Sequence, residues 1–300
     1  AHTAIREAGG ITPLVSLLDD KTERATEINA CAAIALLAVD RESCTALHRA
    51  GAVPRLIHML DGHRGTESAK CAACALGNIS AQRSEWSDEV SAAGAIPLLI
   101  ALLQEGPSSL AAGDAANCLG NVANRYENQE AIREGGGLQP LVPLLQLGSE
   151  NESALLAARA VFAVCEGPNV ANCEVMRAAG AIPPLTELLK ESKGNSHLAS
   201  VASNALLALA DASQSNIDEI RKAGGINALV MCLDDVKDAD PVSLTGGLWA
   251  KLLHPTDDVA NENMLRVAAE ARAAREAGLD EDELKKRKVE EEKKKKASGR

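Results

Sequence analysis

An all-α superhelix of about six stacked helical units is the fold class predicted for this 300-residue chain, on three observations. One junction motif recurs at a nearly fixed interval. The apolar residues are almost all small or branched aliphatics, with Trp86, Trp249, Tyr126 and Phe162 the only aromatics. Each interval also holds the same succession of helix stop, helix start and polar loop.

The motif reads IREAGGITPLVSLL at 5–18, LHRAGAVPRLIHML at 47–60, VSAAGAIPLLIALL at 90–103, IREGGGLQPLVPLL at 132–145, MRAAGAIPPLTELL at 176–189 and IRKAGGINALVMCL at 220–233. Its shared glycines are Gly9, Gly51, Gly94, Gly136, Gly180 and Gly224, a period of 42 to 44 residues. A fixed period of that size is the signature of a stacked repeat architecture.

Within each unit a short helix is predicted to end at the glycine, which tolerates the left-handed conformation of a helix C-terminus. A proline usually follows within a few residues, in the first turn of a second helix, where its missing N–H is not needed. That helix ends in pairs such as Leu17-Leu18 and Leu188-Leu189, and a polar loop follows, DDKTE in the first unit and KESKGNSH in the fifth. A third, Ala-rich helix is predicted at 25–39, 67–80, 109–123, 153–165, 198–210 and 242–253. A helix apolar on most sides must be covered by neighbours on both flanks, so each unit depends on the one before and the one after. The units are 1–40, 41–81, 82–124, 125–166, 167–212 and 213–254.

Charge divides the chain at the same place. The formal net charge is −11. Residues 255–300 carry twelve acidic and twelve basic side chains, so the negative excess lies wholly on 1–254. An acidic body disfavours nucleic acid and anionic lipid and favours a protein partner with a basic extended segment. Eight cysteines lie mostly inside apolar helical stretches, as reduced thiols do in a cytoplasmic or nuclear protein. No apolar run reaches the length of a transmembrane span. The first residues already belong to a repeat and no initiator Met is present, from which a longer protein upstream of Ala1 is expected.

The A-G-[AG]-[IV]-x-[PA]-L junction and its period near 42, over residues 1–254, resemble the armadillo repeat family, as found in importin-α, β-catenin and the yeast vacuolar armadillo protein. The resemblance implies a right-handed α-solenoid whose third helices line a concave groove, where an Asn of each grips the main chain of an extended partner. A side-chain amide offers donor and acceptor together and so matches a peptide unit without reading its sequence. Counted from the junction glycine, that position is Ala38, Asn78, Asn121, Ala163, Ala208 and Lys251. One turn earlier, where importin-α-like members place a Trp, stand Ile34, Cys74, Asn117, Arg159, Asn204 and Gly247. With no Trp and two of the six Asn, a classical nuclear import receptor is not expected. The candidate groove residues are Asn78, Asn117, Asn121, Arg159 and Asn204. The alternative for each asparagine is a bond to a neighbouring helix or to water.

Other signals carry structural readings. Arg6, Arg133, Arg177 and Arg221 sit three residues before the junction glycine and Arg49 two before, where a helix dipole favours a cation. Cys71 and Cys74 form a C-x-x-C without a second pair of ligands, and read as core packing rather than a metal site. No nucleophile with a base, phosphate loop, dinucleotide fingerprint or cofactor motif is present, so no enzyme and no small-molecule substrate are expected. In the tail, Met264, Leu265 and Ala268 offer a narrow stripe for a capping helix up to about residue 277, and the remainder reads as a solvated helix or disordered segment. Lys285, Lys286, Arg287 and Lys288 look like a basic nuclear targeting signal; the alternative is a charge run that only solubilises the terminus.

The expected function is a scaffold or adaptor that binds an extended or helical segment of another protein in the concave groove. The resemblance leaves two further options: the targeting module of a larger regulator, such as a ubiquitin ligase with a U-box, or a structural part of a fixed assembly such as an axoneme.

Overall fold

The structure is a computed structural model that describes residues 2–19, 21–62, 66–192, 195–235 and 247–252. The tail 255–300, with the basic run at Lys285–Lys288, lies outside the described residues, as does half of the third helix expected at 242–253.

Three helices make each unit. The first unit is α1 (His2–Glu7), α2 (Ile11–Ser16) and α3 (Arg24–Leu37); the second is α4 (Arg41–Arg49), α5 (Ala52–Gly62) and α6 (Glu67–Gln82). The third is α7 (Ser84–Ala92), α8 (Ala95–Gln104) and α9 (Ala112–Val122), and the fourth α10 (Tyr126–Glu134), α11 (Leu141–Leu145) and α12 (Glu152–Cys165). The fifth is α13 (Val170–Ala178), α14 (Ile182–Lys190) and α15 (Ser196–Ala212). The sixth is α16 (Gln214–Lys222), α17 (Gly225–Asp235) and α18 (Leu248–Leu252).

All six junction glycines adopt positive φ, from 71° at Gly9 to 89° at Gly224. At Gly94, φ 85°, the chain leaves α7 and enters α8 with no intervening loop, so Ile96, Leu99, Leu102 and Leu103 come round onto the core. The fourth unit differs at its Gly-Gly-Gly. A Cβ on Gly137 would stand 2.8 Å from Ile100 Cγ1 and one on Gly135 2.7 Å from Ile100 Cδ1, so these two glycines make room for the preceding unit. Helix α11 accordingly begins late, after Pro140, and is short.

Short polar side chains start the helices. Asp40 accepts from Ser43 N at the head of α4, Asn169 from Asn172 N at α13, Asn195 from Leu198 N at α15 and Ser213 from Asn216 N at α16. Each such cap contributes about 1 kcal/mol by satisfying a backbone donor that the helix itself cannot.

The units stack with α3, α6, α9, α12 and α15 side by side, and this row packs more densely than the row of second helices. Closer spacing along one row than along the other bends the stack, with the third helices on the inner, concave side. Small residues permit the approach: a Cβ on Gly120 would lie 3.0 Å from Ala160 Cα, and one on Gly113 2.4 Å from Ser153 Oγ. The result is an all-α solenoid whose single apolar core runs from Ile11 to Leu252. Among the described residues no single helix is long and apolar enough to cross a membrane.

Polar ties join consecutive units. Asn128 Nδ2 donates to Val122 O at 2.7 Å, Asn172 Nδ2 to Val164 O at 2.8 Å and Asn216 Nδ2 to Leu209 O at 2.7 Å. Each lies eight residues before its junction glycine and satisfies a carbonyl near the C-terminus of the preceding third helix. The last-turn arginines are anchored as well: Arg133 by Glu130 at 2.6 Å, Arg177 by Glu174 at 2.7 Å and Arg221 by Asp218 at 3.0 Å. Arg221 also donates to Leu252 O at 2.8 Å.

Candidate partner groove

The exposed face of the third helices presents one recurring pair of positions in α6, α9 and α12: Cys74 and Asn78, Asn117 and Asn121, Arg159 and Ala163. Helix periodicity dictates this, because residues four apart share a face. Asn117, Asn121, Arg159 and Asn204 come together around one pocket of about 320 Å³ that spans α9, α12 and α15. Its apolar wall is Phe162, Ala163 and Val201, and Gly120 keeps the α9 side open. Asn78 lies one unit back, outside that lining.

Two of the asparagines are already engaged. Asn78 Nδ2 donates to Ala35 O at 3.0 Å and Asn121 Nδ2 to Gly77 O at 2.9 Å, in each case across to the preceding third helix. The bond to a neighbouring helix therefore holds for both, with each Oδ1 left over as an acceptor. The same geometry corrects the reading of the first unit. Ala35 and Gly77 are equivalent acceptors, so Leu36 is the equivalent of Asn78. Leu36 is 68% exposed, whereas Ala38 and Ile34 are fully buried. The distance from junction glycine to groove residue is 27 positions in each of the first three units, and counting further in the first unit passes from the open face into the core.

Acidic groups gather toward the N-terminal ends of the same helices. Burial raises the Asp114 carboxyl above its usual range against the opposing effects of a hydrogen bond with the Cys74 thiol and of Lys70; Glu152 and Glu67 raise it further. Burial, then Asp114, pushes the Cys74 thiol up to about 12, so it stays protonated. Cys71 is buried on the same helix and its thiol is likewise raised by burial, the behaviour of packing residues. No group of three or more His, Cys, Asp or Glu among the described residues is arranged to hold a metal ion.

Sequence reasoning missed Phe162, Val201 and Asp114. Phe162 carried a signal, since it is the one Phe of an aromatic-poor chain and lies on α12 between Arg159 and Ala163. Asp114 carried none, because its character comes from burial.

No protein-family model matches the sequence, and no curated protein does. Solved structures do. A designed armadillo repeat protein, YIII(Dq)4CqI, superposes with a TM-score of 0.68 at 26% identity, over 81% of this chain and 100% of that one. An engineered protein gives 0.66 at 28% identity, over 86% and 97%. A second designed armadillo repeat protein, solved in complex with the peptide (KR)4, gives 0.64 at 23% identity, over 81% and 99%, and speaks for the fold alone.

Proposed function

The chain is an armadillo-like repeat solenoid, and we propose that it is a non-enzymatic scaffold that holds an extended segment of another protein in its concave groove. The observation that carries this reading is the pocket in which Asn117, Asn121, Arg159 and Asn204 converge over Phe162 and Val201. Amides that offer both donor and acceptor, set over an apolar floor, suit a peptide main chain with one side chain turned inward.

The acidic rim of Glu67, Asp114 and Glu152 gives the segment its complement: basic side chains on the stretch that passes the N-terminal ends of α6, α9 and α12. The eight cysteines suit a reducing compartment, the cytoplasm or the nucleus.

The test is selection of displayed random peptides on residues 1–300, followed by affinities for the wild type and for Asn204→Trp, which fills the pocket from α15. Selected peptides are expected to lose at least about tenfold in affinity for the filled groove, the loss of one well-buried contact. Peptides that bind both proteins equally place the binding face elsewhere and remove the assignment.

A further inference from the structure

The charge of Arg159 is left over by the fold. Arg6, Arg133, Arg177 and Arg221 each pair with a carboxylate of the chain, and Arg125 pairs with Asp88. Arg159 is exposed on α12 and has no hydrogen-bond or ion-pair partner among the described residues, yet it stands at the centre of the groove rather than on an outer surface. A solvated cation on a convex face needs no explanation. One that lines a concave pocket with an apolar wall loses water when that pocket fills, and then requires a partner.

Its neighbours supply the rest of a receptor. Asn117 and Asn204 likewise line the pocket and make no hydrogen bond within the described chain, in contrast to Asn121, whose nitrogen is committed to Gly77 O. Their two amide groups and the guanidinium fork present N–H donors from α9, α12 and α15 to one space. A planar carboxylate accepts several such donors at once, and bidentate Arg–carboxylate pairing is among the stronger charge-assisted contacts.

We propose that this pocket is an acid-selective anchor: it takes the carboxylate of one Asp or Glu side chain of the bound segment, with Arg159 as the counter-ion and Asn117 and Asn204 as its lateral donors. The proposal deepens the groove reading above and rests on it. One guanidinium balances one carboxylate. A phosphoryl dianion would leave uncompensated charge beside Glu152, which lies on the same face of α12 two turns away, about 10 Å along the axis. Because the body of the protein is acidic, the preference is positional: an acid is accepted at one place in the segment and disfavoured along the Glu67–Asp114–Glu152 rim, where bases are favoured. The partner is therefore a segment of mixed charge, not a uniformly basic one.

The test uses the same displayed peptides, selected on residues 1–300 and, in parallel, on Arg159→Glu and Arg159→Gln. Wild-type protein is expected to enrich Asp or Glu at a single register position. The charge-reversed variant is expected to replace it with Lys or Arg, and the neutral variant to lose the preference. In a charge-swap cycle, changing the anchor Glu of a selected peptide to Lys lowers affinity for wild type at least about tenfold and restores it for Arg159→Glu. Replacing the anchor with phosphoserine weakens binding; a gain would assign the pocket to a phosphate instead and overturn the carboxylate assignment. Peptides that are sensitive to Asn204→Trp but show no acidic position, or keep it in Arg159→Glu, overturn the anchor and leave the groove standing. Peptides indifferent to both variants overturn the two together. Arg159 is exposed and unpaired, so both substitutions leave the melting temperature near that of wild type, which a thermal melt verifies.

Discussion

Asn121 donates its side-chain amide to the main-chain carbonyl of Gly77, 2.9 Å away and one unit back along the inner face. Asn78 repeats the relationship with Ala35 at 3.0 Å. The residues that resemblance assigns to a partner are thus also fasteners between repeats. Asn121→Ala is expected to lower stability by about 1 kcal/mol, the net worth of one hydrogen bond, and Asn121→Asp by more, since a carboxylate cannot donate to a carbonyl. Urea denaturation reads the loss, and peptide affinity read beside it separates tie from contact. Full stability with lost affinity means that the amide serves only the partner.

Gly120→Ala tests the closeness of the inner row. Alanine is the better helix former by about 1 kcal/mol. Here its Cβ would meet Ala160 Cα at 3.0 Å, and main chain cannot rotate away. Steric cost is expected to win, with destabilisation of about 1 to 3 kcal/mol. Gly62→Ala is the control: nothing lies within 4 Å of its added Cβ, and it is expected to be neutral or slightly stabilising. Equal effects at the two sites would mean that α9 and α12 are not in contact there.

Asn172→Leu tests the joint between the fourth and fifth units. Asn172 is fully buried and its nitrogen holds Val164 O at 2.8 Å, so an apolar replacement strands that carbonyl. A loss of about 1 to 3 kcal/mol is expected. Hydrogen exchange at α13 should rise more than at α5, because in a quasi-one-dimensional stack damage stays near its joint.

The pH dependence has two signs. Hydrogen bonds from Ser43 lower the Asp40 carboxyl, a hydrogen bond from Arg133 lowers Glu130, and one from Arg177 lowers Glu174. A depressed carboxyl stabilises the fold above its ordinary value, 3.8 for Asp and 4.5 for Glu, and that contribution is lost as pH falls through the lower folded value. Asp114 is raised, so it opposes folding at neutral pH and ceases to do so as pH falls through its folded value toward 3.8. Asp114→Asn is therefore expected to raise the melting temperature at pH 7 and to leave it unchanged below the ordinary Asp range. An equal gain at both pH values would assign the effect to packing instead.

Much of the fold was legible because it is periodic. The junction glycines and the third helices of the first five units fall within about three residues of where spacing put them. Such features depend on local rules, namely which residue accepts a left-handed φ, which one starts a helix and which stripe is apolar. The groove was legible only as a list. Asn117, Asn121, Arg159 and Asn204 were named from register, and the first unit went astray because Ala38, in the core, lies 29 positions after Gly9, two beyond the 27 that lead to Leu36 on the open face.

By itself, then, the sequence determined a stack of helical units, its period and an inner face with few large side chains, because each follows from contacts within a unit and between neighbours. The tertiary structure alone decided which amides are consumed and which are left. Asn121 is bonded to Gly77 while Asn117 and Asn204 are not, and Arg159 faces a pocket whose lining holds no acid. Those outcomes depend on the angle and separation of α9, α12 and α15, set by how closely small residues let backbones approach, a quantity that no single stretch of sequence contains.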